Sequence, residues 1–390
     1  MLGSSLGSLT MWTCWWITST TLWMNIRWWL GDSYPTNVAE FAEKHNTPLA
    51  GHTIFGELSQ FWSGGGDYDG REMRALPRDG SEGSLQAVLW KRMNDFLDAY
   101  ADRVTHINVV NEMLNGRWMP YVLPCGEDGP CMCDYPPACE GITENLKIET
   151  RPYFYLATKT LLAERGLENP LFINEYCTLH RCGREQGTAA GAVKLVKRIQ
   201  EKSGGSVGGF SAQGHQGLGH RLAGTDIMLQ LKSLKKEIQA DGSEMKLWIS
   251  EADIDDADGQ NRADAYEQYF RAAFASPDLD GFLMWGFWEG AHWRGGAYLV
   301  EEDFTLNAAG RRILGEDGLL NAWKTNEDLT VDVEDENGAE VFLASAFHGT
   351  YDVRFGRNCR SAFTVPEGTG EIEVTLRLNC PQPSESLKSP

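Results

Sequence analysis

Two glutamates that follow apolar segments are the residues of this chain best suited to paired carboxyl chemistry. Glu112 stands in VVNEM and Glu251 in WISEAD, each among polar neighbours. Two carboxyls cleave a glycosidic bond with retention when one donates a proton to the leaving oxygen and the other, ionised, attacks the sugar. Taken alone, each glutamate is also consistent with an ordinary carboxylate at a helix start. The choice depends on whether the fold brings the two together.

Apolar segments alternate with stretches of helical periodicity over most of the chain. Strands are expected at 47–55, 106–113, 170–176, 208–215, 246–254 and 280–288, and helices at 84–102, 151–166, 188–203, 225–241 and 262–276. This alternation predicts a parallel sheet covered by helices, either a closed (β/α)8 barrel or an open doubly wound sheet. No dinucleotide-binding or P-loop glycine motif supports the open sheet. A closed barrel brings Glu112 and Glu251 to one face, where barrel enzymes build their sites.

The chain divides into four parts by the pattern of its residue types. Residues 1–37 are interpreted as an altered or incomplete N-terminal segment of the barrel, 38–322 as the barrel, 323–380 as a small antiparallel β module and 381–390 as a disordered tail. Strands of the module are expected at 329–335, 339–347, 350–356 and 370–378, where apolar and polar residues alternate between turn residues.

The net charge of −20 argues against nucleic acid and membrane surfaces as partners, because an acidic surface repels phosphate groups. It fits a neutral polymer such as a sugar chain, although an acidic surface also simply improves solubility. We expect a monomer that binds a polysaccharide.

Nine cysteines bear on the compartment. Eight of them fall in local groups, which predicts disulfides and an oxidising environment, with Cys14 left over. The group from Cys125 to Cys139 could instead bind zinc, but it lacks the two paired C-x-x-C motifs of common structural sites. We expect an extracellular or cell-wall protein whose signal peptide is missing from this chain, since the N-terminal 31 residues lack a basic start and a clear cleavage site.

The segments at the predicted strand ends form an ordered set: GHTIFGE, INVVNE, LFINEY, SAQGH, WISEAD and MWGFWEGAHWRGGA. Together they resemble the strand-end motifs of glycoside hydrolase family 10, the xylanase family, and most closely its plant-type members. The resemblance runs from about residue 38 to 322 and extends more weakly to AFHGTYDV in the tail module. It implies a TIM barrel and a retaining endo-1,4-β-xylanase that needs neither a metal nor an organic cofactor.

The resemblance also implies a role for individual residues. Glu112 matches the acid/base and Glu251 the nucleophile, while His215 and Asp253 match the pair that supports the nucleophile. The residues that match substrate contacts are His52, Asn111, Tyr176, Gln213, Trp285 and Trp293.

The chain departs from the family pattern in several places. The first one or two βα units, with their sugar-binding Asn and Lys, are not recognisable in the N-terminal segment. Gly56 stands where plant-type members have Trp, and Glu175 where members often have Asp. Residues 117–145 form a cysteine-bearing insertion that either reshapes the aglycone subsites or is a neutral decoration.

Two other hypotheses compete with the enzyme. A carbohydrate-binding protein with this cleft but little or no turnover is one, because the floor of the glycone site is missing. An unstable fragment without function is the other. Retention of both glutamates together with His215 and Asp253 favours the enzyme.

Overall fold

The computed structural model describes residues 2–4, 11–12, 17–18, 33–56, 75–116, 118–125, 129–142, 148–180, 188–217, 221–323, 349–355 and 359–366. The strands within these ranges are β1 (Leu2–Ser4), β2 (Met11–Trp12), β3 (Ile17–Thr18), β4 (Leu49–Gly56), β5 (Val104–Asn111), β6 (Leu171–Glu175), β7 (Gly209–Ala212), β8 (His215–Gly217), β9 (Lys246–Asp255), β10 (Gly281–Met284), β11 (Gly349–Phe355) and β12 (Cys359–Val365). The helices are α1 (Ser33–Lys44), α2 (Leu85–Tyr100), α3 (Trp118–Val122), α4 (Thr150–Glu164), α5 (Ala189–Lys202), α6 (Gly224–Ile238), α7 (Gly259–Ala275), α8 (Ala308–Leu314) and α9 (Leu319–Ala322).

The central sheet is parallel and carries the predicted β/α alternation. Its strands follow the order β2-β10-β9-β7-β6-β5-β4-β3, with β8 paired to β9 beyond the end of β7. β4 and β6 are buried along their whole length because helices cover one face and the barrel core the other. The predicted TIM-barrel architecture is confirmed, and each of the six expected strands has its observed counterpart from β4 to β10.

Short strands from the N-terminal segment flank the sheet at both edges. β2 pairs with β10 and β3 with β4, both in parallel. β3, α1 and β4 form one βαβ unit, which the sequence patterns did not reveal. One βα unit is therefore present at the start of the barrel.

Side chains that cap and pack the helices fix their positions against the sheet. The Ser84 hydroxyl caps α2 by accepting from the backbone N–H of Ala87, and Thr188 and Asp258 cap α5 and α7 in the same way. On α2 the residues that face the sheet repeat every three or four positions; they are Leu85, Leu89, Met93, Phe96 and Leu97. These local signals explain why the predicted helix boundaries agree closely with the observed ones.

The strand that precedes His215 is broken at Gly214. This glycine has φ +88°, and a Cβ on it would lie 2.2 Å from the Tyr269 hydroxyl oxygen and 2.8 Å from the Ile249 Cγ2. The Tyr269 hydroxyl, on α7, also donates to the Gly214 carbonyl oxygen at 2.9 Å. Only glycine fits this bend, which separates β7 from β8 and sets the directions of the residues on either side.

A second, antiparallel sheet joins the two ends of the chain. β11 and β12 pair along their full length, and β1 adds to the other side of β11. β11 matches the strand expected at 350–356. The strands expected at 329–335, 339–347 and 370–378 and the tail at 381–390 lie outside the described residues.

The cysteine-bearing insertion packs on the outer helices. The Gln86 amide nitrogen, on α2, donates to the Cys131 carbonyl oxygen at 3.1 Å, and the Tyr153 hydroxyl, on α4, donates to the Ala138 carbonyl oxygen at 2.5 Å. The described part of the insertion therefore packs against α2 and α4.

The cysteines of the insertion lie in two close pairs, Cys125 with Cys131 and Cys133 with Cys139. Within the described ranges no cluster of three or more metal-ligating side chains is found. None of the helices that the structure describes has the length and apolar character to cross a bilayer.

Candidate active site

The carboxyl ends of β5, β6, β7 and β9 bring a group of polar side chains together in the core of the barrel. Glu112 follows β5, Gln213 follows β7, and Glu251 lies within β9. The backbone ties these ends together, since Glu112 N–H donates to the Asn174 carbonyl oxygen at 3.0 Å and Glu251 N–H donates to that of Gln213 at 2.7 Å. Glu112 and Glu251 are only 7% and 3% exposed, so their charges are weakly screened by solvent.

The carboxyl of Glu112 has one oxygen engaged and one available. Gln213 Nε2 donates to Oε1 at 2.8 Å, while Oε2 has no hydrogen-bond partner among the described residues. Burial raises the pKa of Glu112 to about 7, and the negative charge of Glu251 adds to this shift against the opposing hydrogen bond from Gln213. Glu112 is thus a carboxylic acid at mildly acidic pH, with a free oxygen to donate from.

Both oxygens of Glu251 receive N–H groups. His215 Nε2 lies 3.0 Å from Oε2, and Asn174 Nδ2 donates to Oε1 at 2.7 Å. Asn174 is itself oriented by the Ser250 hydroxyl, which donates to its Oδ1 at 2.6 Å. Two N–H donors fix the position of this carboxyl, as the role of a nucleophile requires.

His215 is positioned by a buried carboxylate. Its Nδ1 lies 3.0 Å from Asp253 Oδ2, and Asp253 also accepts from Trp293 Nε1 at 2.7 Å and from Arg294 Nη1 at 3.2 Å. Burial by itself lowers the pKa of His215, but the charge of Asp253 and the hydrogen bonds that His215 donates to both carboxylates outweigh this effect and raise the pKa to about 9. At neutral pH His215 is therefore an imidazolium that stabilises the charge on Glu251.

Aromatic rings surround this group on one side. The ring of Trp285 lies edge-on to those of His52 and His215, with centroids 6.0 and 6.2 Å away, and the ring of Trp293 lies 5.0 Å from His215. His52 Nδ1 lies 3.0 Å from Asn108 Nδ2. Burial lowers the pKa of His52 to about 4, so this ring is neutral and offers the site no positive charge.

The remaining predicted contact residues lie nearby. Asn111, the last residue of β5, accepts a hydrogen bond from Asn174 Nδ2 at 2.8 Å. Tyr176 follows β6 directly, is half-buried, and donates its backbone N–H to Glu175 Oε1 at 2.9 Å. All ten residues singled out in the sequence therefore lie on strands of the parallel sheet or in the segments that follow these strands.

Three residues of this site were not assigned a role from the sequence, although Glu175 had been compared with the family pattern. Asn174 contacts both Asn111 and Glu251, Arg294 contacts Asp253, and Glu175 accepts from the turn after Glu112. A signal was present for two of them, because the pair Asn-Glu that ends β5 also ends β6. Arg294 has no such local signal, since its partner lies on another strand.

Comparison with known proteins relates part of the chain to one family. The family model for glycosyl hydrolase family 10 matches residues 155–314, which include Glu251, His215, Asp253 and both tryptophans of the site. This part of the chain is similar to glycosyl hydrolase family 10. The family 10 model begins downstream of Glu112, but two curated relatives match 87% of this chain, a share that necessarily includes the strand ends of both glutamates.

The first of these relatives is the anti-sigma-I factor RsgI6 of Acetivibrio thermocellus, which is 29% identical to this chain over 341 residues and is covered over 36% of its own length. The second is endo-1,4-beta-xylanase 2 of Arabidopsis thaliana, 25% identical over 346 residues and covered to 27%. The chain thus spans less than half the length of either relative.

A solved structure supports the fold. The GH10 xylanase from Bispora sp. MEY-1, crystallised with xylobiose, superposes with a TM-score of 0.50 at 12% sequence identity, covering 74% of this chain and 82% of that one. At this identity the likeness concerns the barrel fold, to which both chains belong.

Proposed function

We propose that this chain is a retaining endo-1,4-β-xylanase that hydrolyses the xylan backbone by double displacement. The observation that carries the proposal is the opposite environment of the two carboxyls. Glu112 is held protonated with a free Oε2, while both oxygens of Glu251 face N–H donors, one of them an imidazolium. Two carboxyls with separated roles are what cleavage with retention requires. The Arabidopsis relative bears the name of this activity.

In the first step Glu251 attacks the anomeric carbon and Glu112 gives its proton to the glycosidic oxygen. The bond between the anomeric carbon and that oxygen breaks, the shortened chain leaves as an alcohol, and a covalent xylosyl ester forms on Glu251. The negative charge on Glu251 is lost as the ester forms. Before that step His215 must hold the carboxylate in place without giving it a proton, because a protonated carboxyl is a poor nucleophile. Asp253, which keeps the proton on His215, serves this purpose.

In the second step a water molecule replaces the departed chain. Glu112, now a carboxylate, takes a proton from this water as its oxygen attacks the anomeric carbon and releases Glu251. Gln213, which donates to Glu112 Oε1 at 2.8 Å, stabilises the carboxylate between the two steps. The cycle returns both carboxyls to their starting protonation states and needs no metal or organic cofactor.

The substrate contacts follow the same arrangement. We assign His52, Trp285 and Trp293 to the glycone side, where flat aromatic faces pack against a sugar ring. Asn111 is assigned to the sugar 2-hydroxyl, a hydrogen bond that strengthens in the transition state. Gln213 is assigned to the subsite of the reacting sugar, and Tyr176 to the aglycone side.

The cysteine pairs support a site of action outside the cell. Cys125 and Cys131 have their sulfur atoms 2.05 Å apart, and Cys133 faces Cys139 in the same insertion. Disulfides persist in oxidising compartments. We therefore propose that the chain acts in the extracellular space or the cell wall, as a monomer on a polysaccharide.

Cleavage of a xylan backbone tests the proposal. The purified chain is expected to release reducing ends from beechwood xylan and to cut xylotetraose internally, while the Glu251→Ala variant does neither. Binding of xylotetraose without cleavage, unchanged in Glu251→Ala, would instead establish a carbohydrate-binding protein. Product analysis by chromatography separates the two outcomes.

A further inference from the structure

The turn that carries Glu112 is an unusual piece of backbone. Glu112 has φ +61°, in the left-handed region that side chains other than glycine rarely adopt. The turn closes through a hydrogen bond from Gly116 N–H to the Glu112 carbonyl oxygen at 2.8 Å. Such a conformation persists where neighbouring groups hold it, and it clusters at functional sites.

The group that holds this turn is the carboxyl of Glu175. The Leu114 backbone N–H donates to its Oε2 at 2.6 Å and Asn115 Nδ2 donates to its Oε1 at 2.8 Å. Tyr176 N–H completes the set from the other side at 2.9 Å. Glu175 is 0% exposed, so water cannot replace these bonds if the carboxyl is removed.

We propose that Glu175 is a positioning residue whose carboxyl clamps the turn after Glu112 and so aims the acid at the leaving oxygen. This role rests on the proposed glycosidase function. It follows from a contrast within the site: both oxygens of Glu251 have hydrogen-bond partners, whereas Oε2 of Glu112 has none among the described residues. The orientation of the Glu112 carboxyl therefore depends on the conformation of its backbone, and the hydrogen bonds to Glu175 hold that conformation.

The pKa of Glu175 reflects its burial within these hydrogen bonds. Burial raises the pKa of Glu175 to about 8, against the hydrogen bond from Leu114 and with the negative charge of Glu112. A glutamate in an apolar core is costly unless its hydrogen bonds are met. Here they come mainly from the turn that follows the acid.

The leaving group of the substrate isolates the role of the acid. From 2,4-dinitrophenyl β-xylobioside the dinitrophenolate leaves without being protonated. From phenyl β-xylobioside the phenolate leaves only when an acid protonates its oxygen. For Glu175→Gln, which keeps the shape but places an amide N–H₂ opposite a donor, we expect kcat/KM to fall about 10- to 100-fold on the phenyl substrate. On the dinitrophenyl substrate we expect a change of less than about threefold, because the acid is not used there.

Two further variants keep the test decisive. Asn115→Ala removes one donor of the clamp and is expected to show the same leaving-group dependence at smaller size, even if Glu175→Gln does not fold. Asp280→Asn is the matched control, because Asp280 also accepts a backbone N–H, that of Leu247 at 2.8 Å, but at the opposite end of the barrel. It is expected to affect both substrates equally.

Equal losses on the two substrates in Glu175→Gln, or no loss on either, would overturn the proposal and leave Glu175 a structural residue. If the wild-type chain cleaves neither substrate, the proposed glycosidase function fails instead. Circular dichroism and thermal melting of each variant separate loss of fold from loss of positioning.

Discussion

The Glu251→Ala variant is expected to lose at least on the order of 10⁴-fold in kcat on xylotetraose, because removal of a covalent nucleophile in a hydrolase has an effect of this size or larger. The side chain is 3% exposed and contacts His215 and Asn174, so the variant also leaves two donors without an acceptor. Steady-state kinetics by product chromatography measures the loss. Glu237→Ala, on the exposed face of α6, serves as the control and is expected to match the wild type.

Chemical rescue distinguishes loss of the nucleophile from loss of the fold. With an activated aryl β-xylobioside, azide is expected to enter the space left in Glu251→Ala and attack the anomeric carbon from that side, giving the α-glycosyl azide. Proton NMR of the product identifies the anomer. A β-glycosyl azide, or activity of the variant close to that of the wild type without azide, would place the nucleophile elsewhere.

The pH dependence of kcat/KM is expected to show an alkaline limb near pH 7. Glu112 must carry its proton to act as the acid, and burial raises its pKa to about 7. Because its pKa is raised, Glu112 stays protonated up to about pH 7. The value of kcat/KM is therefore highest below this pKa and falls about tenfold per pH unit above it. Initial rates on xylotetraose at concentrations well below KM, between pH 4 and pH 10, measure the limb.

The Glu112→Gln variant is the control for this assignment. It is expected to lose about 10²- to 10⁴-fold on xylotetraose, as removal of a general acid does. Its remaining activity is expected to lack the limb near pH 7 and to decline only as His215 loses its proton, since the pKa of His215 is raised to about 9. An unchanged limb in Glu112→Gln would assign the titration to another group.

Local patterns explain how much of the fold was predictable from the sequence. The predicted helix at 84–102 coincides with α2 because Ser84 supplies a cap and the apolar positions repeat with helical spacing. The strand ends were found because Asn111 and Glu112, and likewise Ser250 and Glu251, interrupt apolar segments with polar residues. These signals lie within a few residues of the features that they specify.

The bend at Gly214 and the role of Asn174 depended on contacts between distant segments. The space at Gly214 is set by Tyr269, which comes from a helix 55 positions later in the chain. Asn174 is significant because two other strands, β5 and β9, place Asn111, Ser250 and Glu251 around it. The pattern of residues within one segment does not reveal contacts with residues of distant segments.

The beginning of the barrel was the least predictable part of the fold. α1 starts at Ser33 and buries the small residues Ala39 and Ala42, a weaker apolar pattern than that of α2. β3 contributes only two residues to the sheet, Ile17 and Thr18. Strands of two residues carry no alternation from which they could be recognised.

The configuration of the first sugar released tests the central claim most directly. Proton NMR follows the anomeric signals during the first minutes of xylotetraose hydrolysis, before mutarotation mixes them. Double displacement through Glu251 with Glu112 as acid predicts that the β-anomer appears first and that the α-anomer grows in later. Initial release of the α-anomer would contradict the account, because a single displacement by water would then replace the covalent intermediate on Glu251.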